Sequence, residues 1–129
     1  MQRLLLDTHA FLWWVNDAPE LSATARLLIA DTTNDCFLSL ASCWEMAIKS
    51  SLGKLRLARS IDRFVSEQLV ANGILLLNIE LRHAAKIEKL PFHHRDPFDR
   101  LLIAQAISDK LTIVSADSIF SEYGVKILW

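Results

Sequence analysis

Apolar residues in this chain fall in short dense runs separated by stretches of helical spacing. "RLLL" (residues 3–6) is continuous and stops at Asp7. A run without polar alternation predicts a strand buried on both faces. "CFLSL" (36–40), "ILLLNI" (74–79), "LTIVS" (111–115) and "VKIL" (125–128) predict four more strands. "AFLWWV" reads as a helix and "DAPELS" as a turn; Ser22 then caps a helix through about residue 31, where "ARLLIA" has helical spacing. "ASCWEMAIKSSLG" carries Trp44 and Ile48 four apart, with Gly53 as a stop. "SIDRFVSEQLVANG" has Ser60 as its N-cap and Gly73 as its stop. "ELRHAAKIEKL" is a helix ended before Pro91, "PFDRLLIAQAISDK" is the next, and "ADSIFSEYG" is a short helical turn. Strands alternating with helices predict βαβ crossovers and a mostly parallel sheet covered on both faces. In such sheets functional groups gather beyond the carboxyl ends of the strands.

The 129 residues make one domain, 1–129, with 52% apolar residues, 3 Gly, 3 Pro and no linker or repeat. Mean hydropathy is +0.25. No apolar run approaches the roughly 18 residues of a membrane span; the longest, "ILLLNI", is broken by Asn78. The N-terminus lacks an extended apolar region and a small-residue cleavage site, so the expected location is cytoplasmic. The apolar excess predicts a covered surface, either a dimer face or a partner groove. A net charge of −1 argues against nucleic-acid binding by bulk positive charge and leaves room for a local basic groove. Cys36 and Cys43 lack metal-ligand spacing and suit buried thiols in a reducing compartment.

Polar residues just past the strands carry the candidate chemistry. Asp7 follows the first strand, Glu45 lies on the helix after the second, Asp117 follows the fourth, and Asp99 opens the helix that leads into it. Four carboxylates on one rim suit a hard divalent cation such as Mg2+ or Mn2+. Such an ion assists phosphodiester hydrolysis by activating water and offsetting phosphoryl charge. Each acid also has a structural alternative. Asp7 is an N-cap candidate, Glu45 stands four before Lys49 as a helix pair, and Asp117 suits a turn cap. Glu80 reads as first-turn helix charge only. In "DPFD", Asp96 fits the N-cap, Pro97 the first helical position and Asp99 the third. Yet an ionised Asp99 entering the nearly all-apolar "FDRLLIAQAI" is costly without a neutralising charge.

His9, His83, His93 and His94 show no common metal-ligand spacing, so the expected ligand set is carboxylate alone. His93, His94, Arg95 and Arg100 form a basic cluster beside Asp96 and Asp99; Lys49, Lys54 and Arg56 form another beside Glu45. Both suit a phosphate backbone, with solvated loop charge as the alternative. Phe11, Trp13 and Trp14 read as core or interface.

The stretches "LLLDTHAFLWW", "SCWEMAIKSSLGKL", "DPFDRLLIAQA" and "TIVSADSIFSEYGVKIL" together resemble the PIN-domain proteins, and among them the VapC-type toxins of toxin–antitoxin modules. The resemblance runs the length of the chain. It implies a three-layer α/β/α sandwich with a parallel five-stranded sheet ordered 3-2-1-4-5. It implies an Mg2+- or Mn2+-dependent endoribonuclease, usually a homodimer, silenced by a cognate antitoxin whose peptide crosses the active-site groove. The family's four acids fall on Asp7, Glu45, Asp99 and Asp117. Asp7 and Asp99 are the expected metal ligands, and Lys49 and Arg100 the expected substrate contacts. Asp96 lies outside the four, so capping is its expected role. The competing readings are a DNA nuclease using the same acids and a catalytically silent PIN-like binding module. A receiver-like phosphoacceptor fits poorly, because strand 1 ends in the single Asp7.

Overall fold

The computed structural model describes all 129 residues. Five parallel strands, β1 (Arg3–Leu6), β2 (Asp35–Ser39), β3 (Leu75–Leu77), β4 (Thr112–Val114) and β5 (Ile127–Leu128), form one sheet in the order β3-β2-β1-β4-β5. Six helices connect them: α1 (Thr8–Val15), α2 (Ala23–Ala30), α3 (Leu40–Ser51), α4 (Ile61–Asn72), α5 (Leu81–Ile87) and α6 (Pro97–Asp109). A 3-10 helix spans Ser118–Tyr123. No helix is long and apolar enough to cross a membrane.

β1 is the central strand, paired with β2 (Leu5 beside Phe37) and with β4 (Leu5 beside Ile113). Its Leu4, Leu5 and Leu6 are all 0% exposed. Side chains alternate along a strand, so Leu4 and Leu6 join one core with Phe11, Ala25, Ile29 and Val65 of α1, α2 and α4. Leu5 joins the other with Leu102, Ile103 and Ile113 around α6. The run "LLL" is apolar throughout because both faces are covered. The three-layer sandwich and its strand order are as the resemblance implies.

The outer strands are shorter than the apolar runs suggest. β3 keeps three of six residues and β5 two of four. Some helix ends also differ. Ser60 occupies the N-cap position of α4 but accepts no amide there; its hydroxyl donates to Asp62 instead, at 2.6 Å. Gly73 ends α4 in the left-handed region at φ 63°, as its place in the sequence suggests. Glu80 is not mere first-turn charge. It precedes α5, and its amide donates to Nδ1 of the buried His83 at 3.0 Å. His83 Nε2 lies 3.1 Å from Asp109 at the far end of α6, which ties α5 to α6.

Arg100 corrects the sequence reading most sharply. It is 6% exposed and its guanidinium donates to the carbonyls of Ile87, Leu90, Pro91 and His94 at 2.8–3.3 Å. It also contacts Tyr123 Oη at 3.3 Å, and Phe92 lies over it at 4.4 Å. Both of its Nη groups are spent on Tyr123 and the chain between the end of α5 and α6, and its burial keeps it from serving as a free cation for a substrate phosphate. A planar five-donor fork suits several carbonyls where an ammonium point charge does not. Arg100→Lys should therefore cost on the order of 2–4 kcal/mol through stranded carbonyls, read by urea denaturation.

Asp96 caps α6 as expected. Its Oδ1 accepts from Phe98 N at 2.9 Å and Asp99 N at 3.0 Å, with Pro97 opening the helix. Asn caps about as well as Asp, so Asp96→Ala is the informative change. It should lose about 1 kcal/mol in the same denaturation measurement, with Asp96→Asn near wild type.

Candidate active site at the carboxyl edge of the sheet

β1, β2 and β4 all end at one rim, and each delivers a polar group there. Asp7, 7% exposed, follows β1 and caps α1, its Oδ1 accepting from Ala10 N at 2.8 Å. Ser115, fully buried after β4, lies beside the Asp7 carboxylate, and its hydroxyl lowers the Asp7 pKa. The same hydroxyl accepts from Asp117 N at 3.0 Å. One serine thus stands beside the acids that follow two neighbouring strands. Asp117 is exposed and caps the 3-10 helix through Ile119 N at 3.0 Å. For Asp7 and Asp117, capping and site placement hold together; they are not alternatives.

Glu45, 8% exposed, sits in the second turn of α3. Thr8 Oγ1 donates to its Oε1 at 2.7 Å and lies 2.9 Å from Ser42 Oγ. Lys49 Nζ donates to its Oε2 at 2.7 Å. The helix pair is therefore real, but its acid is buried at the rim and not in solvent. Lys49 keeps 42% of its side chain exposed. Asp99 stands in the first turn of α6 with Oδ2 2.7 Å from His94 Nε2. Ligand atoms of His94, Asp99 and Asp117 all lie within 4.8 Å of one another.

The family model for the PIN domain matches residues 4–126. The chain belongs to the PIN-domain family. Among solved structures, this PIN domain is similar to VapBC2 from Rickettsia felis, bound to a DNA fragment from their promoter. There the TM-score is 0.71 and the identity 14%, over 98% of each chain. DNA-bound VapBC from Salmonella typhimurium gives 0.69 and 14%, over 99% of this chain and 98% of that one. FitAcB from Neisseria gonorrhoeae gives 0.62 and 19%, over 98% and 96%. At such identities the likeness is one of fold. No curated protein matches the chain in sequence.

The rim of this PIN domain holds more negative charge than its cations neutralise. Asp99 is pushed up to about 6, first by burial and then by the charges of Asp96 and Asp7, against the lowering effect of His94. Asp7 is raised too, first by burial and also by Asp117, against bonds from Ser115 and Ala10 and the charge of His9. Lys49 is engaged with Glu45. Three acids that feel one another at a partly dry edge fit a hard divalent cation. Asp99 and Asp117 share the 4.8 Å cluster, which does not include Asp7. His94 Nε2 is the one nitrogen in the same cluster.

Sequence reasoning assigned no role to Thr8 or Ser115, and it placed His94 in a basic cluster without its contact to Asp99. Ser115 had a local signal, since Ser-x-Asp is a turn pairing. Thr8 follows Asp7 directly, but its partner Glu45 is 37 positions away. His94 lies in a segment with no period to read. Cys36 and Cys43 take no part; burial pushes both thiols up to about 11, which keeps them protonated and unreactive.

The Asp99 shift has a defined consequence for stability. Its carboxyl titrates near 6 in the folded chain and near 3.8 ordinarily, so the folded state holds the extra proton between those values. That contribution is complete below about pH 4 and lost as pH rises through about 6. Asp99→Asn should therefore stabilise the metal-free protein at pH 7 by up to about 3 kcal/mol. The gain should vanish near pH 4, as measured by denaturant unfolding in EDTA.

Proposed function

We propose that this PIN domain is an Mg2+- or Mn2+-dependent endoribonuclease acting as the toxin of a toxin–antitoxin pair. The observation that carries the reading is the convergence of Asp7, Asp99 and Asp117 on one rim, with Asp99 pushed up to about 6 by burial and like charge. Family membership and the shared fold with VapBC chains support it.

Asp99 and Asp117 would hold the cation together with Asp7. When bound, the cation supplies Lewis acidity that activates water and offsets charge on the phosphoryl oxygens. The chain's own groups do the positioning. Ala10 N anchors Oδ1 of Asp7 and Ser115 lies beside it, so this carboxylate would be held in place for the ion. Thr8 and Lys49 hold both oxygens of Glu45, which stands ready to orient the attacking water. Lys49, half-exposed, is the cation at hand for the substrate phosphate; Arg100 is withdrawn from that role.

The predicted covered surface has a counterpart. Leu40, Trp44, Ala47, Ile61 and Leu76 line an apolar groove of about 310 Å³ between α3 and α4. Trp44, 56% exposed, stands one residue before Glu45, so an antitoxin peptide seated there would lie beside the acids. A second copy of this chain is the other occupant proposed for exposed apolar surface.

The test compares RNA and DNA cleavage by the purified chain with Mg2+, Mn2+ or EDTA. RNA should be cut with either ion and spared in EDTA. Asp7→Asn and Asp99→Asn should each lose at least about 100-fold in rate with an unchanged circular dichroism spectrum. Cleavage of DNA alone would identify the DNA-nuclease reading. Undiminished cleavage in EDTA would remove the metal.

A further inference from the structure

His94 is the one non-acidic group whose ligand atom falls within the Asp99–Asp117 cluster. Distance alone makes it a third ligand. Its hydrogen bonds say otherwise. Neutral imidazole has one nitrogen that donates and one that accepts. Arg95 N donates to His94 Nδ1 at 3.1 Å, so Nδ1 is the acceptor and the proton sits on Nε2. That Nε2–H points at Asp99 Oδ2 from 2.7 Å. A protonated ring nitrogen has no free lone pair to give an ion.

The ring has little freedom to exchange these roles. His94 N donates to Tyr123 Oη at 2.8 Å, and His94 O accepts from Arg100 Nη1 at 3.2 Å. Arg100 is itself anchored on the carbonyls of Ile87, Leu90 and Pro91. Phe120 closes on the ring edge-on, centroids 6.4 Å apart. Backbone and side chain of His94 are thus held from several sides. Asp99 Oδ1, in contrast, accepts no hydrogen bond within the chain.

We propose that His94 is a positioning residue for Asp99: its Nε2–H, fixed in that tautomer by the Arg95 amide, holds Oδ2 and turns the free oxygen of Asp99 to the cation. The inference rests on the reading of Asp99 as a metal ligand. Hydrogen-bonding partners of this kind typically account for 10–100-fold in metal affinity. It also gives the Arg100 clamp a purpose at the site, since the clamp fixes the segment that carries His94.

Mn2+ binding to the whole chain, followed by electron paramagnetic resonance without substrate, tests this. Wild type should show no nitrogen directly coordinated to Mn2+ in the electron spin-echo modulation. His94→Gln, whose amide nitrogen still donates to Asp99, should bind Mn2+ within a few-fold of wild type. His94→Leu should bind it about 10–100-fold more weakly at an unchanged melting temperature. A nitrogen coupling in wild type that disappears in His94→Leu would make His94 a ligand and overturn the proposal. So would equal losses in His94→Gln and His94→Leu, or wild-type affinity in His94→Leu. Asp99→Asn run alongside separates the two levels: if it binds Mn2+ like wild type, the cation site itself is misplaced.

Discussion

The complete burial of β1 is the constraint on which everything else hangs. Leu4, Leu5 and Leu6 contact two cores at once, and both strand edges are hydrogen-bonded. A strand so enclosed cannot shift register without turning its side chains into the wrong layer. Its last residue is followed at once by Asp7, whose position is therefore as fixed as the core. β4 is held to β1 in the same way and sets Ser115 and Asp117. The acids meet because the strands that carry them cannot move.

The helix starts do a second job at this rim. Asp7, Asp96 and Asp117 each accept backbone amides. Capping removes rotational freedom from a carboxylate, and a helix N-terminus stabilises its negative charge. For Asp7 that help does not outweigh burial, since its carboxyl still titrates above the ordinary range. The rim thus combines rigid acids with an uncompensated charge, a combination that core packing alone would not produce.

Much of this was legible in the sequence because its cause is local. The apolar runs marked all five strands, and "DPFD" marked the α6 start down to the roles of Asp96 and Pro97. Asp7, Glu45 and Asp117 stood out by their places past strands, and Asp99 by its place at the start of a nearly all-apolar helix. What could not be read depends on contacts without a period. Arg100 looks like a substrate cation in sequence, since its carbonyl partners are 6 to 13 positions back in an irregular segment. His94 became relevant only once that segment folded over α6. Glu80 and His83 resolved through Asp109, 26 positions from His83. The outer strands were overread because an apolar run at a sheet edge can be spent on packing beyond the ladder.

The brevity of the outer strands limits how this protein can be recognised. β3 offers a neighbour three residues of main chain and β5 two. A peptide adding itself as a sixth strand would gain few hydrogen bonds at either end. The same shortness guards against sheet-to-sheet stacking of copies at high concentration. A protein partner would be left to bind through side chains seated against the helices, and mutations that alter its recognition should map to helix surfaces.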